Sequence, residues 1–184
     1  MSERRLEVSE FILALLDSKP NGIAGRTTVQ KLGYFASIIL GQDFGYGPDF
    51  YGPFSSTIAA NMQNLVETDF VTERGRMTSR YRRMYSYALN DEATILTKAI
   101  KKTYSKEYRI IEWVVKKCDQ IVHLNYNVLS WAAKVHFVLK RSGKSMTYDE
   151  AIAASRSFGW KLTEQEVETG VKLLQELKLI KKTK

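Results

Sequence analysis

Residues 49–56 read Asp-Phe-Tyr-Gly-Pro-Phe-Ser-Ser, a turn signal followed at once by a helix-start signal. Gly52-Pro53 interrupts any regular structure before it. The hydroxyl of Ser55 or Ser56 can accept a hydrogen bond from the free N–H groups at the start of a helix. The sequence therefore predicts a helix from this step to about Asp69.

The predicted helix has two different faces. At a period of 3.6 residues its apolar side chains fall on one side and its polar side chains on another. The first set is Ile58, Met62 and Leu65, and the second is Thr57, Asn61, Asn64 and Thr68. We expect the first face to join a core and the second to remain available for hydrogen bonding.

A basic hairpin is predicted directly after this helix. Residues 70–72 form a short strand in this interpretation, Gly75 begins a turn region, and residues 84–89 form the returning strand. The stretch from residue 74 to residue 83 carries five arginines and no acid: Arg74, Arg76, Arg80, Arg82 and Arg83. A helix with a polar face followed by a basic hairpin is typical of a winged helix-turn-helix.

Two helices precede this unit. The first has apolar residues at helical spacing from Leu6 to Leu16 and ends at residues 19–22, Lys-Pro-Asn-Gly. The second begins with Thr27 and Gln30 in a capping-box pattern and closes at Gly41. The loop from there to the Gly-Pro step is rich in aromatic residues, which either form a recognition surface or fill the gap between helices.

The second half is predicted to be helical. A long helix over 91–122 carries a near-heptad seam that either dimerises or packs within the chain, and residues 103–105 are a candidate break. Three further helices follow, two of them opened by capping boxes at Thr147/Glu150 and Thr163/Glu166, before a predicted strand at 179–180. The seam consists of Ile100, Tyr104, Ile111, Val114, Cys118 and Ile121.

The last predicted helix repeats the pattern of the helix at 55–69. Six positions from Ile58 to Val71 match six positions from Val167 to Ile180 at one constant offset of 109 residues. This match either marks a degenerate second winged-helix unit or reflects any amphipathic helix that runs into a strand. We therefore divide the chain into a winged-helix-like domain at 1–90, a connecting helix at 91–122 and a helical C-terminal lobe at 123–184.

The N-terminal half resembles the uncharacterised YwgA-like proteins and, more distantly, the Panacea domain of antitoxin and phage-associated proteins. The resemblance is carried by residues 29–36, Val-Gln-Lys-Leu-Gly-Tyr-Phe-Ala, and by the Tyr-Gly-Pro-Phe-Ser step at 51–55. Residues 132–137 are also similar to the later part of the YwgA-like pattern. Phe54 stands where Panacea domains usually have a small aliphatic residue. The resemblance implies a mostly helical, winged-helix-like fold in a bacterial or archaeal cytoplasm. It implies no known activity and supplies no catalytic residues to carry over.

Composition and motifs argue against several other functions. The lone Cys118 excludes an intramolecular disulfide, and no apolar run approaches the length of a bilayer span. The glycines at 41–47 lack the spacing of a phosphate loop. His123 and His136 have no Cys or carboxylate at ligand spacing. We therefore predict a cytoplasmic protein that is not an enzyme and has no metal, no cofactor and no membrane partner.

Net charge separates the two halves. Residues 1–92 hold 10 Lys/Arg against 11 Asp/Glu, whereas residues 93–184 hold 18 against 9, and together they give a net charge of +8. The hairpin arginines are thus a local positive spot in a balanced lobe.

The leading hypothesis is binding of duplex DNA, with the 55–69 helix in the major groove and the hairpin along the backbone. Its candidate residues are Thr57, Asn61, Asn64, Arg74, Arg76, Arg80, Arg82 and Arg83. The alternative is a protein-interaction module without nucleic-acid binding, whose surface is the loop from Phe44 to Phe54 with Tyr81, Tyr85 and Tyr87. A third hypothesis assigns RNA binding to the predicted 91–122 helix, through Lys98, Lys101, Lys102, Lys106, Arg109, Lys116 and Lys117.

Overall fold

A computed structural model of the chain describes residues 5–77 and 83–181. Arg80, Tyr81 and Arg82 of the predicted sites lie outside these ranges. The described residues form a mainly helical fold with a small antiparallel sheet, as the sequence predicts. The elements are α1 (Val8–Asp17), β1 (Ile23–Ala24), α2 (Arg26–Leu40), α3 (Ser56–Glu67), β2 (Val71–Met77), β3 (Arg83–Leu89), α4 (Asp91–Thr103), α5 (Ser105–Val122), α6 (Tyr126–Ser142), α7 (Tyr148–Ser155), a 3-10 turn (Arg156–Phe158) and α8 (Glu164–Glu176).

The sheet has the strand order β1-β3-β2, with both pairings antiparallel. The predicted hairpin is present, and its strands are longer than expected. Strand β1 was not predicted; it is only two residues long and pairs Ile23 with Tyr87 of β3. A strand of this length carries no periodic signal, and β3 rather than local propensity holds it in place.

The long helix α2 lies at the centre of the molecule and packs against α1, α5 and α6. It begins earlier than predicted, because its N-cap is Gly25, and it ends at Gly41 in the left-handed conformation as expected. The predicted capping box of Thr27 and Gln30 is wrong. Gln30 directs its side-chain amide to the backbone of Ser55, so it does not cap its own helix.

The predicted 91–122 helix is two helices, because the chain breaks at Tyr104. Five of its six seam residues, from Ile100 to Cys118, are at most 5% exposed. The seam is thus covered within the chain, which is the second of the two alternatives above. These five side chains have partners inside the protein, whereas Ile121 is 39% exposed. A homodimer through the 91–122 region stays a prediction.

The C-terminal helices begin as predicted, with complete capping boxes at Thr147/Glu150 and Thr163/Glu166. The expected strand at 179–180 is wrong, because these residues form a bend after α8. The 109-residue correspondence nevertheless extends into the backbone. Asp69 after α3 and Lys178 after α8 both have positive φ, 62° and 56°. The two helices thus end in the same backbone conformation, whereas the strand has no counterpart at 179–180. A second winged-helix unit stays a prediction.

One cluster of buried apolar side chains extends from Leu6 to Leu177 and draws on both halves of the chain. Its largest members include Trp160, Tyr34 and Phe11. Within the described ranges, no helix combines the length and the apolar character that crossing a bilayer requires.

Candidate nucleic-acid interface and neighbouring sites

Helix α2 fixes the Gly-Pro step and the start of α3. The Gln30 side chain donates to the carbonyl of Ser55 and accepts from its N–H, both at 3.0 Å. Lys31 Nζ donates to the carbonyl of Pro53 at 2.7 Å. The Ser55 hydroxyl then accepts from the N–H of Ile58 at 3.1 Å, which makes Ser55 the predicted cap. The two sequence segments that carry the family resemblance are therefore in direct contact.

Lys31 is buried, with 1% of its surface exposed. Burial lowers its pKa to about 7; the charge of Asp49 opposes the shift, and that of Lys134 adds to it. Gly52 lies against it with φ +93°, and a Cβ there would be 3.0 Å from Lys134 Cγ. Only glycine adopts this backbone conformation without strain. Because Gly52 has no side chain, the Gly-Pro step also lies close to the side chains of Lys31 and Lys134.

The outer face of α3 is polar, as predicted, and Thr57 and Asn64 are exposed on it. Asn61 is half-buried, and its side-chain amide donates to the carbonyl of Thr57 at 2.9 Å. The Asn64 side chain has no hydrogen bond to the part of the chain that the structure describes. The two asparagines therefore differ, because the amide of Asn61 already has a partner in its own helix whereas that of Asn64 faces outward.

The hairpin arginines do not form one cluster. Arg74, Arg76 and Arg83 are all exposed, and none forms an ion pair within residues 5–77 and 83–181. Side chains alternate along a strand, so Arg74 and Arg76 share one face of the sheet and Arg83 lies on the other. The face of Arg83 also carries Val71 and Tyr87, both buried against the helices. Of these three arginines, only Arg83 lies on the side of the sheet where α3 packs.

A three-residue network joins the hairpin to α2. Arg26 Nε donates to Tyr87 OH at 2.7 Å, and its guanidinium lies 3.1 Å from Glu73 Oε2. Tyr87 OH donates to Glu73 at 2.6 Å, and Arg26 also lies 4.6 Å from the ring centre of Tyr85. The hydrogen bond with Tyr87, followed by that with Glu73, raises the pKa of Arg26. Burial acts to raise the pKa of Glu73, but the hydrogen bonds to Tyr87 and Arg26 outweigh it, and the pKa is lowered.

This network corrects one expectation and pairs the acid that lies beside the hairpin. Tyr87 is buried, so its predicted place in a protein-binding surface is wrong. Glu73 is neutralised by Arg26 and does not stand as an isolated charge beside the hairpin. Arg26 was not predicted at this site, because its partners are 47 and 61 residues away along the chain. No local spacing signal connects residues at such distances.

The aromatic loop divides into a buried and an exposed part. Phe44 packs against Phe11 with ring centres 4.7 Å apart, and Tyr46 packs against Tyr34. By contrast, Phe50 is 77% exposed and Tyr51 46% exposed. Tyr126 at the start of α6 lies 6.5 Å from Tyr51, measured between ring centres. The gap-filling role thus describes the buried part of the loop, whereas a recognition role for the exposed part stays a prediction.

The histidine, cysteine and lysine side chains considered as chemical groups elsewhere in the sequence lie in structural surroundings. His136 Nδ1 lies 2.8 Å from Tyr34 OH, and burial, followed by the charge of Lys140, lowers its pKa to about 4. Burial raises the pKa of Cys118 to about 12. No group of three His, Cys, Asp or Glu residues that could hold a metal is found among the residues placed by the structure. On the basic helices, Lys101 lies 3.8 Å from Glu112 and near the ring of Tyr108.

Comparison of the sequence with protein-family models and with curated proteins gives no match. The resemblance to YwgA-like proteins and to the Panacea domain therefore stays a prediction.

Proposed function

We propose that residues 5–89 form a winged helix-turn-helix that binds duplex DNA, with α3 in the major groove and the β2–β3 hairpin on the backbone. The order α1-β1-α2-α3-β2-β3, with β3 in the middle of the sheet, supports this assignment. An α-helix fits the major groove, and an exposed amide such as that of Asn64 can bond both N6 and N7 of adenine.

The observation that carries the proposal is that the described hairpin arginines are exposed and unpaired. Phosphate contact requires a cation that is free to leave water for the DNA, whereas an arginine held by a carboxylate must first give up that partner. Arg74, Arg76 and Arg83 meet this requirement. Arg26 does not, because Glu73 and Tyr87 hold it.

A salt series tests the proposal. We would titrate a duplex of roughly 20 bp, two helical turns, between roughly 50 and 200 mM salt. Each arginine that contacts phosphate should reduce the slope of log K against log salt by about 0.9 when it is replaced by alanine. Arg83→Ala and the Arg74→Ala/Arg76→Ala pair separate the two faces of the hairpin. Arg156→Ala is the matched control, because Arg156 is exposed in the 3-10 turn that packs against α7.

Two results would refute the DNA proposal. One is an affinity too weak to measure at the lowest salt, and the other is an identical slope for the wild type and all hairpin variants. If binding is present, Asn64→Ala should leave the slope unchanged. It should reduce the preference for a selected sequence by about 1–3 kcal/mol, because a base contact specifies sequence without neutralising charge.

A protein-interaction module is the second candidate, and the exposed ring group of Phe50, Tyr51 and Tyr126 favours it. Exposed aromatic side chains are enriched among residues that dominate binding between proteins. In this case Phe50→Ser should abolish the binding of one stoichiometric partner and leave the salt slope on DNA unchanged. Retention of the partner by Phe50→Ser would refute this second candidate.

A further inference from the structure

A cavity of about 190 Å³ lies between α2, α3 and the β2–β3 hairpin. Its floor is apolar, and its more exposed wall carries Phe54, which is 37% exposed, and Gln63. Helix α3 packs mainly against α1 and β2, so the cavity occupies the space between α3 and α2. The lining residues that matter below are Val29, Ile58, Ala59, Met62, Val66 and Phe54.

The polar end of the cavity is electrically balanced. Arg26, Glu73 and Tyr87 line this end, and they bond to one another. A charged ligand would have to separate the Arg26–Glu73 pair in order to find a counter-charge. A neutral molecule can enter without disturbing this pair. The rest of the lining is apolar apart from Gln30 and Gln63, whose side-chain amides already donate to Ser55 and Glu67.

The size of the cavity limits its occupant to one or two rings. An apolar cavity of roughly 150 Å³ in an unrelated protein stays dry and binds benzene. The aromatic side chain of Phe54 adds a ring edge or face against which a flat ligand can pack. We propose that this cavity is a binding site for a small neutral aromatic molecule, such as a phenol or an indole, held between α2, α3 and the hairpin.

Methyl NMR with indole as the probe tests this site directly. Indole should shift the methyl signals of Met62 and Ile58, with a dissociation constant below roughly 1 mM. The methyl signals of Met146 and Ile152, which do not line the cavity, should remain in place. Absence of a shift at Met62 and Ile58 in the wild type at saturating indole would overturn the proposal, whether or not the protein binds DNA.

A pair of variants on adjacent positions of α3 provides the control. Ala59 lines the cavity, whereas its neighbour Ala60 is exposed and does not. Ala59→Leu should fill the cavity and weaken indole binding at least tenfold, while Ala60→Leu should bind like the wild type. Equal binding by the two variants would overturn the proposal. If Ala59→Leu fails to fold by circular dichroism, the wild-type shifts at Met62 and Ile58 decide the matter alone.

Discussion

Replacing Lys31 with methionine should change how the stability of the protein depends on pH. Lys31 is 1% exposed, and its ammonium donates a hydrogen bond to the carbonyl of Pro53. Burial lowers its pKa to about 7 in the folded protein. In the unfolded chain the same side chain has a pKa of about 10.4. The folded and unfolded states therefore bind different numbers of protons between these two values.

The sign and size of the effect follow from this difference. Between pH 7 and pH 10.4 the unfolded state binds more protons, so the free energy of unfolding rises with pH. Below pH 7 both states carry the charge, and the cost of burying it is present in full. With 1.36 kcal/mol for each pKa unit, the wild type should gain about 2–3 kcal/mol relative to Lys31→Met between pH 6 and pH 9.

Urea unfolding at several pH values measures this gain. Trp160 is 2% exposed, so its fluorescence should report the loss of the core. Titrating groups that do not interact with Lys31 affect both proteins equally and cancel in the difference. Lys31→Met also leaves the carbonyl of Pro53 without its donor, which costs about 1–3 kcal/mol and does not vary over this range. The diagnostic quantity is therefore the dependence on pH, not the stability at one pH.

The matched control is Lys102→Met, on the exposed surface of α4. Its stability relative to the wild type should not vary between pH 6 and pH 9. A stability difference between the wild type and Lys31→Met that stays constant within about 0.5 kcal/mol over this range would refute the reasoning. Such a result would mean that Lys31 keeps its charge in the folded state.

Two further predictions concern the C-terminal half. A Cβ on Gly170 would be 3.0 Å from the backbone N and Cα of Ala132 in α6, so Gly170→Ala should lower stability by about 1–3 kcal/mol despite the better helix propensity of alanine. Gln165→Ala, at an exposed position of the same helix, is the control in urea unfolding. An unchanged or raised midpoint for Gly170→Ala would contradict close packing. The pKa of His136 is about 4 in the folded protein against 6.5 in the unfolded chain, so the free energy of unfolding should fall as the pH drops from 6.5 to 4. In His136→Gln this fall should be smaller by about 2–3 kcal/mol. An identical acid profile for both proteins would show that His136 is not buried as a neutral ring.

Much of the fold could be predicted because its signals are local. Ser55, Thr147 and Thr163 cap helices at the expected residues, and the buried face of α3 is the predicted one. Each of these features depends on residues three or four apart in the sequence. The Thr27/Gln30 pattern has the same local form and fails, because Gln30 finds a partner 25 residues away.

The candidate site was predicted less completely, because much of it depends on contacts between residues far apart in the sequence. Asn64 and Arg83 have the exposure that the polar helix and basic hairpin indicate. The division of the arginines between two faces depends on the register of β2 with β3, which the local pattern leaves open. The pairing of Glu73 with Arg26 depends on the docking of the hairpin against α2.

The sequence by itself determined where the helices and the hairpin lie and which side of α3 is apolar. A helix depends on backbone hydrogen bonds between residues four apart, and a strand on side chains that alternate between its two faces. Both are properties of a short segment, so a short segment of sequence is enough to encode them. Only the tertiary structure decided which charged groups remain free and where a cavity is left. Lys31 and Arg26 acquire their partners 22 to 61 residues away, after the helices and the sheet have packed together.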